Sequence, residues 1–191
     1  MTIDQQYLNN YFNTVWRGRQ RSLDQYQYSG WELIGKVRPG ERVIDIGCGD
    51  HPFKQRIANL VGIDPAFPEA DYQLTLEEFV RLHNAQKFNV AFCLGSINFG
   101  TQEEIEHQIS LVKRTLRERN SRIYWRCNPG QKDHGNTECN EIDFYPWTFD
   151  EHIRLAELFG FTVVALEWDT NNRIYAEWFS NNSDTLLNTG N

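Results

Sequence analysis

One short stretch constrains this chain more than any other. Arg42-Val43-Ile44-Asp45-Ile46 is a β-branched, apolar run that leads directly into Gly47-Cys48-Gly49-Asp50. β-Branched residues favour an extended, half-buried backbone. Glycines after such a run let the chain turn sharply and approach a ligand with no Cβ in the way. A second apolar run, Leu60-Val61-Gly62-Ile63, ends at Asp64-Pro65. A carboxylate at that strand end can accept the hydroxyls of a ribose. Seventeen residues separate Gly47 from Asp64, slightly short of the roughly 20 typical of dinucleotide folds. Two parallel strands ending in this way place a ligand outside their carboxyl ends, where the strand order reverses.

The rest of the chain repeats the alternation. Residues 4–37 read as mostly helical and carry many aromatics, with Trp31, Leu33, Ile34 and Val37 at helical spacing. Pro39-Gly40 ends that segment. A short helix is expected over 52–59, with Pro52 in its first turn. A weak third strand is expected at 72–75, then a helix at 76–84 and a buried fourth strand at 88–94. Ile105, Ile109, Val112 and Leu116 share one face of a helix over 102–119, acidic at its start and basic at its end. A strand over 121–127, a polar loop to Pro146, and a helix over 148–159 follow. Thr148 with Glu151 forms a capping box, and Gly160 is a stop signal. Runs at 161–168 and 174–179, joined by a tight polar turn, close the chain as an antiparallel hairpin. The predicted architecture is α/β: a three-layer α/β/α sandwich on a mostly parallel seven-stranded sheet with a C-terminal antiparallel hairpin. An N-terminal helical extension (1–40) is expected as a lid on the core (41–180), with a polar tail (181–191).

Composition narrows the function classes. The chain has 191 residues, 40% apolar and 24% charged, enough for one domain with a full core. A net charge of -7 argues against a dominant electrostatic grip on nucleic acid. No apolar run approaches the roughly 20 residues a membrane helix needs. The stretch 1–10 lacks the apolar segment of a secretory signal. The cysteines, Cys48, Cys93, Cys127 and Cys139, form no CxxC pair. Reduced thiols in a cytoplasmic protein are the expectation.

The two strand ends, Val43-Ile44-Asp45-Ile46-Gly47-Cys48-Gly49-Asp50 and Val61-Gly62-Ile63-Asp64-Pro65, resemble those of the class I S-adenosylmethionine-dependent methyltransferases. The resemblance spans the family's whole core, from about Val43 to Phe179. It implies S-adenosyl-L-methionine as cofactor and S-adenosyl-L-homocysteine as product. It also implies Asp45, Gly47, Cys48 and Gly49 near the methionine part, and Asp64 with Pro65 at the ribose. Leu76 and Glu77 would flank the adenine, and the loop Gly95-Ser96-Ile97-Asn98-Phe99 would face both cofactor and substrate. Two positions depart from the family pattern. His51 stands where a third glycine is usual, and Asn89 where the fourth strand usually opens with an acid. A nicotinamide-binding Gly-x-Gly-x-x-Gly would need glycine where Pro52 stands.

Methyl transfer from a sulfonium needs alignment and sometimes a base, so no universal catalytic residue is required. The candidate base is His134, oriented by Asp133, in the loop after the fifth strand. A solvated polar loop explains the same residues. Cys127, His134 and Cys139 match no standard zinc spacing, and no metal is expected. Trp16, Arg17 and Arg21 in the lid, with Asn98, are candidate substrate contacts; guanidinium forks suit an anionic group. A small-molecule acceptor is the leading expectation. The alternative is a non-catalytic module of the same fold that binds cofactor or a protein partner.

Overall fold

A computed structural model describes residues 5–16, 22–130 and 144–181. The elements run α1 (Gln5–Tyr11), β1 (Val43–Ile46), β2 (Leu60–Ile63), α2 (Leu76–Leu82), β3 (Val90–Cys93), α3 (Gln102–Thr115), β4 (Arg122–Cys127), α4 (Phe149–Phe159), β5 (Phe161–Asp169) and β6 (Arg173–Ser180). The strands form one six-stranded sheet in the order β2-β1-β3-β4-β6-β5. The first four are parallel. β6 is antiparallel to β4 and β5, which makes the closing hairpin. Among the described residues no helix is long and apolar enough to cross a membrane.

Period-two alternation splits each central strand between two cores. Ile44, Ile46, Ala91, Cys93, Ile123 and Trp125 pack with α2, α3 and α4 on one face. Val43, Val90, Phe92 and Tyr124 pack on the other, against the segments around Leu33 and Phe53. Every residue of β1, β3 and β4 is buried, as a sheet covered on both sides requires. The helix starts follow from capping. Thr75 with Glu78 and Thr101 with Glu104 make complete capping boxes. Thr148 accepts the Glu151 amide, but the Glu151 carboxylate bonds Tyr145 and Arg154, so the reciprocal half of that expected box is not made.

Four expectations need correction. The seventh strand is reduced to a single parallel bridge between Ile63 and Tyr72. Tyr72 exchanges bonds with Gly62 and Asp64, but its carbonyl also accepts the Leu74 amide at 2.9 Å. That tight turn bends the chain away after one residue of pairing. Among its described residues, the N-terminal segment is α-helical over Gln5–Tyr11, followed by a short π-helical stretch (Phe12–Trp16) and two 3-10 turns (Leu23–Gln25, Trp31–Lys36). Asp169 accounts for the break: its carboxylate accepts the amides of Gln27, Tyr28 and Ser29 at 3.0, 3.2 and 3.3 Å. Those donors are thereby withdrawn from a helix. The helix α3 stops at Thr115, four residues early, because Leu116 turns extended and pairs with Phe88. The short helix after Pro52 is a 3-10 turn over Pro52–Gln55.

Candidate functional site

The sheet's carboxyl edge opens into a cavity of about 900 Å³. Its first wall is the turn after β1. Gly47 and Cys48 both donate to the Ile63 carbonyl, at 2.8 and 3.2 Å, which ties the turn to the end of β2. Gly47 has φ +70°. A methyl group there would lie 2.5 Å from the Ser96 Cβ, so the turn and the loop after β3 meet in a contact that only glycine permits. Gly49 has φ +57°, and a Cβ on it would meet nothing within 4 Å.

Asp64 forms the adjoining wall. Its Oδ2 accepts the Gly49 amide at 3.0 Å, and its Oδ1 accepts those of Ala66 and Phe67 at 2.8 and 3.2 Å. A carboxylate has about four accepting directions, so one remains on Oδ2. Burial raises the Asp64 carboxyl above its ordinary range, and the three amides partly offset this. Asp45 lies within β1 and is 3% exposed. Burial, then the charges of Asp64 and Asp50, push its carboxyl up to about 7. Burial likewise pushes the Cys48 thiol up, and the charges of Asp45, Asp64 and Asp71 add to it. The turn is therefore rich in negative charge that a cationic group would relieve.

His51 shows how the chain manages without a third glycine. It takes the left-handed conformation, φ 58° and ψ 50°, which costs an ordinary residue roughly 1–2 kcal/mol. Its amide donates to the Cys48 carbonyl at 3.0 Å, closing a four-residue turn around Gly49. Its ring is held by Asp71, with Nε2 3.0 Å from Oδ2. The same Asp71 oxygen accepts the Gly62 amide at 2.9 Å, and Lys54 bonds both Asp71 oxygens at 2.6 Å. Gly62 makes room for the ring: a Cβ there would lie 2.4 Å from His51 Cε1.

The sequence candidates divide into three groups. Gly47, Gly49, Asp64, Pro65, Leu76, Glu77, Gly95 and Ser96 line the cavity. Asp45, Cys48 and Asn98 are buried beside it. Asn98 is a staple: Nδ2 donates to the Gly95 carbonyl at 3.0 Å, while Oδ1 accepts the Asn128 amide at 3.0 Å. The Trp16 side chain, Arg17, Arg21, Asp133 and His134 lie outside the described residues. Phe99, at the end of the expected loop, also lines the cavity, and sequence reasoning passed over Asn9, Phe12 and His107, which line it too. Phe12 packs on Phe99 with ring centroids 6.0 Å apart, and Phe99 on Phe144 at 4.9 Å. The aromatic load of residues 7–31 was visible, but not which ring turns toward the site. Among the described residues, no group of three or more His, Cys, Asp or Glu side chains is placed to hold a metal.

This sheet order, with its closing hairpin and its cavity at the β1 and β2 ends, defines the fold of the class I S-adenosylmethionine-dependent methyltransferases. Among solved structures, the chain is similar to magnesium protoporphyrin IX methyltransferase from Synechocystis PCC 6803, crystallised with S-adenosylmethionine. The TM-score is 0.66 at 16% identity, over 95% of this chain and 99% of that one. It is also similar to the 1,6-didemethyltoxoflavin-N1-methyltransferase of Burkholderia thailandensis, with a TM-score of 0.69 at 14% identity, over 95% of this chain and 92% of that one. A third similarity, with a TM-score of 0.62 at 13% identity over 91% of this chain and 97% of that one, is to a structure of a Haloferax volcanii complex between the Trm112 methyltransferase activator and a methyltransferase. No family model and no curated protein matches the sequence.

Proposed function

We propose that the protein is an S-adenosylmethionine-dependent methyltransferase acting on a small-molecule acceptor. The observation that carries this reading is the convergence of Gly47, Gly49 and Asp64 on one cavity, in this fold. The residues fit the cofactor. Open space beside Gly49 admits close approach to the backbone. Asp64 retains an accepting direction for a ribose hydroxyl, and Ser96 Oγ is buried with no hydrogen-bond partner among the described residues. Leu76 and Glu77 offer the flank for adenine. The carboxylates of Asp45 and Asp64 suit a ligand that carries a sulfonium charge.

When bound, the cofactor supplies an electrophilic methyl group. The chain's own task is alignment and exclusion of water. Phe12 and Phe99 wall the cavity beside the loop after β3. His134, oriented by Asp133, is the proposed base for acceptors that must lose a proton. The cavity, near the upper end of the ~300–1,000 Å³ usual for small ligands, has room for the cofactor together with a small acceptor.

Calorimetry with S-adenosylmethionine and S-adenosylhomocysteine is the direct test. Saturable binding of both is expected, followed by transfer of a labelled methyl group to the small-molecule fraction of a cell extract. No heat at millimolar cofactor sinks the proposal. Binding with no transfer to any fraction supports the non-catalytic module, and transfer confined to protein overturns the small-molecule acceptor.

A further inference from the structure

His51 occupies a position whose backbone conformation suits glycine, yet it is buried and bonded on two sides. Its amide closes the turn that contains Gly49, through the Cys48 carbonyl. Its ring reaches Asp71, which in turn holds the Gly62 amide in the middle of β2. Inside the closed turn, the Gly49 amide is aimed at Asp64 Oδ2, 3.0 Å away. A glycine in place of His51 would adopt the same φ but would carry no side chain to fix it. The left-handed residue, the turn, the Gly49 amide and the Asp64 carboxylate thus form one connected series. Its far end is the edge segment at Asp71 and Tyr72.

We infer that His51, acting through Asp71, is a positioning residue that holds the Gly47–Asp50 turn ready for the cofactor, through a side-chain bond that a glycine there would lack. The side-chain bond replaces backbone freedom with a fixed geometry. It sets where Gly49 presents its amide and so how Asp64 is turned. Asp71 is the second member of the device, and Gly62 the third, because any larger residue there would displace the ring.

Two readouts test the inference, and only the second rests on the proposed function. The first is amide hydrogen exchange at Gly49 in the free protein. His51→Ala and Asp71→Asn are each expected to speed it by about tenfold, the scale of one lost hydrogen bond to a charged group. The double variant should be no faster than the faster single, because both remove the same link. The second is cofactor titration by calorimetry: each variant should raise the Kd for S-adenosylmethionine about tenfold. His51→Asn, which tolerates the left-handed conformation, should recover part of both effects and carries the test if His51→Ala does not fold. Asn120→Ala is the control, since Asn120 is an exposed left-handed residue in another turn, at φ 55°. It should lower stability and leave both readouts alone. Unchanged Gly49 exchange in both His51→Ala and Asp71→Asn overturns the inference. Wild-type protein that takes no cofactor overturns the proposed function instead, and the exchange result still decides the role of His51.

Discussion

Gly47 and Ser96 meet across the ends of β1 and β3 so closely that a single methyl group on Gly47 would lie 2.5 Å from the Ser96 Cβ. The turn after β1 and the loop after β3 are therefore one surface. Gly47→Ala must both strain a backbone at φ +70° and push the two loops apart. Tm is expected to fall by roughly 2–8 °C, from about 1–2 kcal/mol of strain, and cofactor affinity by more than about tenfold. Adding Ser96→Gly should restore part of the affinity, because it removes the clash and leaves the strain. No recovery in calorimetry would show that the clash is not the cause.

Asp64 serves the fold and the site with the same two oxygens. Asp64→Asn turns one acceptor into a donor, which then faces an amide of Gly49 or of Ala66 and Phe67. The expected cost is about 1–3 kcal/mol of stability, read from urea unfolding, with cofactor affinity reduced by at least about tenfold. Full affinity in this variant would remove Asp64 from the ribose.

Two buried groups pull the pH dependence of stability in opposite directions. The Asp45 carboxyl is raised from 3.8 to about 7, chiefly by burial. Between these values the folded state holds a proton that the unfolded chain releases, so this group lowers stability as pH rises through the window. His152 is fully buried, and burial lowers it from 6.5 to about 3. There the unfolded chain takes up the proton first, so this group lowers stability as pH falls below about 6.5. The two trends oppose each other between about pH 4 and 6.5. Asp45→Asn should steepen the gain in stability with rising pH, and His152→Phe should reverse it. Urea midpoints across that range that move in parallel for both variants would contradict this assignment.

The same Asp45 titration predicts a signature in binding. A cationic ligand beside the turn favours the ionised carboxylate, so binding below about pH 7 should release a proton. Affinity for S-adenosylmethionine should therefore fall as pH drops through the range 7 to 5, with heat that depends on the buffer's ionisation enthalpy. Asp45→Asn should abolish that buffer dependence.

Much of the core was legible because it is written in neighbouring residues. Val43-Ile44 and Val90-Ala91-Phe92 show their strands by composition, and α3 shows its buried face through Ile105, Ile109 and Val112. Gly47, Gly49 and Asp64 were legible as a site because each ends or follows an apolar strand, and topology brings such ends together. Gly160 stops α4 at φ +79°, the left-handed cap that its position implied.

What lay beyond the sequence is what depends on distant partners. Gln27 to Ser29 read as helix by local pattern, but Asp169 captures their amides across 140 or more residues. The segment at Tyr72 reads as a strand, but its own carbonyl is shared with Leu74 after one residue of pairing. His51 reads as a lost glycine, but Asp71 and Gly62 let it keep the glycine's conformation. Local propensity and periodicity decided where strands, helices and the glycine turn begin. Only the folded chain decided which long-range hydrogen bonds override those preferences. Each such bond joins groups whose proximity exists only once the sheet is assembled.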